Sequence, residues 1–160
     1  MESVCFVGHS QLVVTETLKK SVCDTINKLI VSGFTDFFVG GSYGFSLLCG
    51  EAILDARKAN PGIRLHIIAP CSETEQVKKW KNPQDVKDYH DVLSKADTIF
   101  RCAKKYYDGC YKDRNIRLIE QASVCVCYYD ADRKKYSGTG QAVKMAKKKG
   151  IDIINLFGLE

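Results

Sequence analysis

Phe37-Phe38-Val39-Gly40-Gly41-Ser42-Tyr43-Gly44 decides the reading of this chain, because a short apolar run breaks directly into a glycine-rich turn. Two other loops follow apolar runs in the same way: Val7-Gly8-His9, and Tyr136-Ser137-Gly138-Thr139-Gly140 beyond Val124–Tyr129. Each is a place where a buried parallel strand would hand over to a helix. Glycine there lets the backbone approach a ligand closely, and a helix N-terminus offers unpaired N–H groups to an anion. In an open α/β sheet the carboxyl ends of neighbouring strands share one crevice. The three loops therefore predict a phosphate-bearing small molecule, nucleotide in kind, held in that crevice.

Outward from these loops, strand-like runs and helical periods alternate along the whole chain. Val14, Leu18, Val22, Ile26, Leu29 and Ile30 recur at three- and four-residue steps and predict an amphipathic helix ending near Gly33. Leu47, Leu48, Ala52 and Ala56 share a face of a second helix, which stops before Asn60-Pro61-Gly62. Leu65–Ala69 reads as a third strand, and Cys71–Lys81 as polar and irregular. Asn82-Pro83-Gln84-Asp85 is a helix start: a capping side chain, proline at the first helical position, then an acidic residue. Thr98–Phe100 is a short strand, and residues 106–121 have roughly helical spacing. Val124–Tyr129 is apolar on both parities, as a central parallel strand should be. A last helix carries Ala142, Val143 and Ala146, and Ile151–Phe157 closes the sheet. The pattern predicts an α/β, Rossmann-like fold: an open, mainly parallel sheet with helices on both faces, as one domain over residues 1–160.

The bulk properties narrow the function classes. With 160 residues, 45% of them hydrophobic and 27% charged, the chain can bury a core of ordinary size. No apolar stretch approaches the ~20 residues that cross a bilayer, and Met1-Glu2-Ser3 has no basic leader, so a soluble, cytoplasmic protein without membrane partners is expected. The net charge of +5 is compatible with nucleic acid but does not argue for it. Lys147-Lys148-Lys149 before Gly150 complements a helix dipole, and Arg133-Lys134-Lys135 reads as a second surface cluster. The eight cysteines lack zinc spacing and read as buried free thiols, with Cys71 and Cys110 near the crevice rim.

The candidate residues follow from the loops. Neither Gly-x-Gly-x-x-Gly after the first strand nor a Walker lysine is present, which disfavours dinucleotide and P-loop chemistry. Gly8, His9, Gly40, Gly41, Ser42, Gly44 and Phe45 belong to the first two loops, with Ser137, Gly138 and Thr139 in the third. Arg114 and Asn115 supply a planar cation for phosphate and an amide for a base edge or sugar. His66 and His90 read as packing or surface residues, and no His, Cys, Asp and Glu set suggests a metal or other cofactor. Glu51 is the best-placed carboxylate for acid/base or nucleophilic work. Tyr106, Tyr107, Tyr111, Tyr128 and Tyr129 could serve a contact in a homo-oligomer, dimer or higher.

In order and spacing the segments resemble the SLOG superfamily (relatives of the SMF/DprA and LOG proteins), specifically its YpsA-like branch of bacterial and phage proteins. The resemblance rests on Phe6-Val7-Gly8-His9, Phe38–Phe45 with Glu51, Pro70…Gln76…Trp80, Tyr89…Leu93…Ala96-Asp97, Tyr106-Tyr107…Gly109-Cys110, Arg114-Asn115 and Ser137-Gly138-Thr139. It implies a Rossmann-like fold with a nucleotide-type site at the strand ends. Members of the superfamily include phosphoribohydrolases, sensors of ADP-ribose-derived signals and DNA-binding recombination factors. LOG enzymes carry Pro-Gly-Gly-x-Gly-Thr-x-x-Glu at the third loop, whereas Ala142 occupies the glutamate position here. The expected function is therefore binding of a nucleotide or ADP-ribose-like ligand as a sensor or sequestering module, leaning away from catalysis. A nucleotide hydrolase or transferase that cleaves an N-glycosidic bond through Glu51 and a DNA-binding protein related to DprA are the alternatives.

Overall fold

β-Branched and aromatic runs form the sheet, and helical runs with apolar stripes cover it. The computed structural model describes residues 3–133 and 138–158. In chain order the elements are β1 (Ser3–Gly8), α1 (Glu16–Val31), β2 (Asp36–Gly40), α2 (Phe45–Ala59), β3 (Arg64–Ala69) and α3 (Glu73–Val77). There follow α4 (Pro83–Lys95), β4 (Thr98–Arg101), α5 (Cys110–Glu120), β5 (Val124–Tyr128), α6 (Gly138–Lys149) and β6 (Asp152–Asn155). The six strands are all parallel in the order β4-β3-β2-β1-β5-β6. The chain builds outward from β1 to β4 and then returns to place β5 on the other side of β1. The connections diverge at β1 and β5, the switch point at which ligands enter such sheets.

Helices α1, α2 and α4 pack together on one face and α5 and α6 on the other. The first face buries Leu18, Val22 and Ile26 of α1 against Phe6, Phe37 and Leu65. The second buries Leu118, Ala142 and Ala146 against Cys5, Cys125 and Cys127. Val14 does not join the first stripe: it precedes α1 and is exposed, because Thr15 caps the helix and accepts from Leu18 N–H. The expected start of α4 holds, with Asn82 accepting from Gln84 N–H at 2.9 Å and Pro83 in the first turn.

Two local expectations are corrected. The stretch read as irregular contains the short helix α3, capped by the Ser72 hydroxyl, which accepts from Glu75 N–H. Helix α5 begins at Cys110 rather than Tyr106, because Gly109 turns the backbone to φ +95°. No helix of the described residues is long and apolar enough to cross a membrane. All eight cysteines are free, six of them buried; Cys23 is exposed and Cys102 is intermediate.

Candidate functional site

The C-terminal ends of β1 and β2 and the N-terminal turns of α5 and α6 enclose a cleft of about 590 Å³. Its walls include Gly8, His9, Gly40, Ser42, Arg114, Asn115, Gly138 and Thr139, so eight of the expected residues meet at one place. Ser137 lies outside the described residues. The backbone at the loops is tightly tied: His9 N–H donates to Tyr128 O, Phe45 N–H to His9 O and Gly41 N–H to Ile68 O.

Arg114 is the centre of the arrangement. Helix α5 aims it across β2, where its Nη1 donates to Gly41 O at 3.4 Å and its Nε to Asn115 Oδ1 at 2.8 Å. Its guanidinium also lies 5.3 Å from the centroid of the Tyr111 ring, another cleft residue. Gly40 makes this approach possible, since a Cβ there would stand 2.6 Å from Arg114 Nη1. Burial lowers the Arg114 pKa, opposed by nearby Tyr111 and Tyr89. Asn115 is 3% exposed and its amide donates to Gly138 O at 3.1 Å. Asn115 thus holds Arg114 and the start of α6 in register, instead of offering a free amide to a base.

The other loop residues divide between lining and support. Gly41 presents its carbonyl to Arg114 and to the Gln76 Nε2, and Gln76 in turn accepts from the buried Tyr89 hydroxyl at 3.0 Å. Gly44 adopts φ +74° with its Cα packed against the Ser10 backbone, a position no side chain could share. Phe45 is fully buried beneath Gly8 and beside Tyr128, so it supports the loop from the core and does not reach the cleft.

Three expectations about reactive groups change. Glu51 is exposed on α2 and does not line the cleft; burial and then Asp88 and Asp91 raise its pKa, marking it as part of the α2–α4 surface. Cys71 and Cys110 are buried against each other and not on the cleft wall, and burial followed by Cys110 raises the Cys71 pKa. Tyr128 is in the core at 9% exposure, which removes it from the surface tyrosines.

Arg133 is the charged residue that sequence reasoning missed; Ser10, Gln11, Ser46 and Tyr111 also join the wall without having been expected there. Arg133 has its Nη2 donating to Gln11 O at 2.9 Å. Its basic neighbours disguised it as a surface charge; the usable signal was its place just beyond the end of β5. Among the described residues neither Arg114 nor Arg133 is ion-paired, and no carboxylate lines the cleft. His9 Nε2 accepts from Asp130 N–H at 3.0 Å, so the neutral ring carries its proton on Nδ1. Burial, then Arg133, lowers the His9 pKa against the opposing pull of Asp130. Among the described residues no cluster of His, Cys, Asp and Glu could hold a metal ion.

Comparison with known proteins agrees with the fold. A UPF0398 protein of Halalkalibacterium halodurans is 28% identical over 134 residues, covering 82% of this chain and 68% of its own length. One of Bacillus thuringiensis is 26% identical over 138 residues, covering 84% of this chain and 72% of its own. Among solved structures, the structural-genomics target TM1055 superposes with a TM-score of 0.62 at 20% identity, over 99% of this chain and 75% of that one. DNA processing protein A from Helicobacter pylori, described with a single-stranded DNA binding mode, gives a TM-score of 0.66 at 20% identity, over 95% of this chain and 63% of that one. The YpsA family model, described as the YspA SLOG family, matches residues 8–157, and the chain belongs to that family.

Proposed function

We propose that the cleft binds a nucleotide or nucleotide-derived ligand of the ADP-ribose kind through its phosphates, and that the protein acts as a sensor or sequestering module. The observation that carries this reading is the pair Arg114 and Arg133, two guanidinium groups on a wall that has no carboxylate among the described residues. Arg114 is the part-buried one: a cation that has lost hydration without a counterion gains from an anionic ligand, and the exposed Arg133 adds a second positive charge at the same wall. Gly138 and Thr139 open the twelve-residue helix α6 at the same wall, adding N–H groups and a hydroxyl suited to phosphate. A volume of about 590 Å³ suits a small ligand buried over most of its surface. The glycosidic-cleavage reading is weaker, because its carboxylate, Glu51, stands outside the cleft.

Thermal unfolding of the folded protein with AMP, ADP-ribose, NAD and cyclic nucleotides tests the reading. A ligand at about 100 times its dissociation constant adds about 2.7 kcal/mol, or roughly 5–11 °C for a chain of this size. Arg114→Ala is expected to remove the shift. A panel that leaves the melting temperature unmoved refutes the proposal.

A further inference from the structure

Three polar side chains outside the cleft form a relay at the β4 edge of the sheet. Phe38, His66 and Thr98 are register partners on β2, β3 and β4, so their side chains share one face, and Asp36 joins them two residues before Phe38. His66 Nε2 lies 2.7 Å from Asp36 Oδ1, and His66 Nδ1 lies 2.6 Å from Thr98 Oγ1. Burial of Asp36 opposes its ionisation, but bonds from His66, Thr35 and Arg64 outweigh that and keep it a carboxylate. A carboxylate only accepts, so the neutral imidazole carries its proton on Nε2 and turns the lone pair of Nδ1 to the Thr98 hydroxyl, which donates to it. The Phe38 ring is stacked on the imidazole at 4.4 Å and holds its plane. Hydroxyl, base and orienting carboxylate thus stand in the order that activates a nucleophile.

Thr98 is exposed and opens into a hollow of about 370 Å³ between α5 and the sheet edge, which shares no residue with the nucleotide cleft. Phe38, Ile68 and Phe100 give the hollow an apolar lining, and the Arg117 guanidinium, 4.3 Å from the centroid of the Phe100 ring, is a donor for a carbonyl oxygen. Glu120 on the same wall offsets the charge of Arg117, so the hollow suits an uncharged guest. The geometry points to an ester-cleaving centre for short, uncharged carboxylic esters, with Thr98 as nucleophile, His66 as its base and Asp36 as the positioning residue. As Thr98 Oγ1 bonds to the ester carbon, its proton passes to His66 Nδ1 and the carbonyl electron pair moves onto oxygen. Collapse of that intermediate breaks the ester C–O bond, and the leaving alkoxide takes the proton from His66. Water, deprotonated by the same nitrogen, then attacks the acyl group; the carboxylic acid leaves and Thr98 regains its proton. Asp36 stays ionised throughout and offsets the charge of the imidazolium.

p-Nitrophenyl acetate is the probe, with p-nitrophenolate release followed by absorbance and the acetylated position located by peptide mass spectrometry after acid quenching. The full chain should turn the ester over and carry acetyl on Thr98 when quenched. Thr98→Ser should keep the reaction, whereas Thr98→Val, at an exposed position, should remove it while the melting temperature holds. His66→Gln can keep a bond to each neighbour but cannot take the proton, and should slow acylation at least about 100-fold, the lower end for a lost general base. Asp36→Asn has an amide that can donate to Nε2 and so move the ring proton to Nδ1; it should lower kcat and leave KM unchanged, a split that a purely structural role would not give. Acetyl found only on lysines or on the exposed Cys23 would overturn the proposal. So would Thr98→Val releasing p-nitrophenolate at the parent's rate, or His66→Gln reacting as fast as the parent.

Discussion

Gly40→Ala isolates the cleft's central cation without touching it directly. The new methyl carbon would stand 2.6 Å from Arg114 Nη1 and 3.0 Å from its Cδ and Cζ. Ordinary contact begins at 3.4 Å, so the guanidinium must retreat by about 0.8 Å. These atoms end a flexible side chain, so the fold accommodates the methyl by moving Arg114; the bond it gives up, Nη1 to Gly41 O, is already long at 3.4 Å. Stability should change by less than about 1 kcal/mol, within the range of substitutions that create neither a cavity nor a buried orphan. Affinity should suffer more. A hydrogen bond to a charged group is worth about 1.5–3 kcal/mol, so a phosphate deprived of Arg114 binds roughly 10- to 150-fold more weakly. Isothermal titration with the best ligand from the nucleotide panel measures this in the parent, Gly40→Ala, Arg114→Ala and the double variant. If the glycine acts through the arginine, the double variant binds like Arg114→Ala alone. Losses that add in full would show that Gly40 contacts the ligand itself, and would refute the reasoning.

Gly8→Ala makes the opposite case, because the added methyl would meet the ring of the fully buried Phe45, which has nowhere to go. Overpacking of this kind costs about 1–3 kcal/mol, which calorimetry should register as a fall of roughly 2–12 °C. Asp36 is buried, which opposes its ionisation, but bonds from His66, Thr35 and Arg64 outweigh that and hold its pKa below 3.8. Its contribution is therefore present above that value and lost as pH falls through the lower folded value; urea titrations should show Asp36→Asn to be the less stable protein at neutral pH, with the difference shrinking in acid. The lowered pKa of His9 means that folding favours its neutral form, so its contribution is complete above about pH 6.5 and fades as pH falls through the folded value. Heteronuclear NMR should find the Nδ1–H tautomer at pH 7 and a midpoint below 6.5; a midpoint above that value contradicts the geometry.

The sheet and the convergence of its loops were legible because they are written in local period and turn chemistry. Val124–Tyr128 is apolar on both faces because both faces are covered, and the capping pattern at Asn82-Pro83 works within three residues. What escaped depended on partners distant in the chain. Lys149 read as a dipole charge on its own helix, yet its Nζ donates to Ile119 O, Glu120 O and Ala122 O at 2.7–2.9 Å and closes the end of α5. His66 read as packing, but its two nitrogens join Asp36 at 2.7 Å and Thr98 at 2.6 Å across three neighbouring strands. Phe45 and Glu51 lie off the cleft wall for one reason. A helix following a glycine loop points only some of its positions at the ligand, and which ones depends on a rotation that residue spacing leaves open.

The same rotation bears on what the cleft can do. Ala142, at the position where LOG enzymes carry glutamate, is fully buried and packs with Cys5, Val7 and Val143 under α6. A glutamate placed there with this orientation of α6 would be driven into the core, so the substitution by alanine agrees with the packing of this sheet face and is more than the loss of one functional group. Among the described residues the remaining groups on the wall are two guanidiniums, hydroxyls, the amides of Gln11 and the already engaged Asn115, and a histidine whose surroundings favour its neutral form. Such a set stabilises a ligand's charge in its ground state, and no wall carboxylate is at hand to assist departure of a base from its sugar. Under the proposed reading, binding energy is spent on the phosphates and on closing Arg114 over them. The readout of binding then has to be sought in the elements Arg114 touches: α5, the Gly41 loop, and through Asn115 the start of α6.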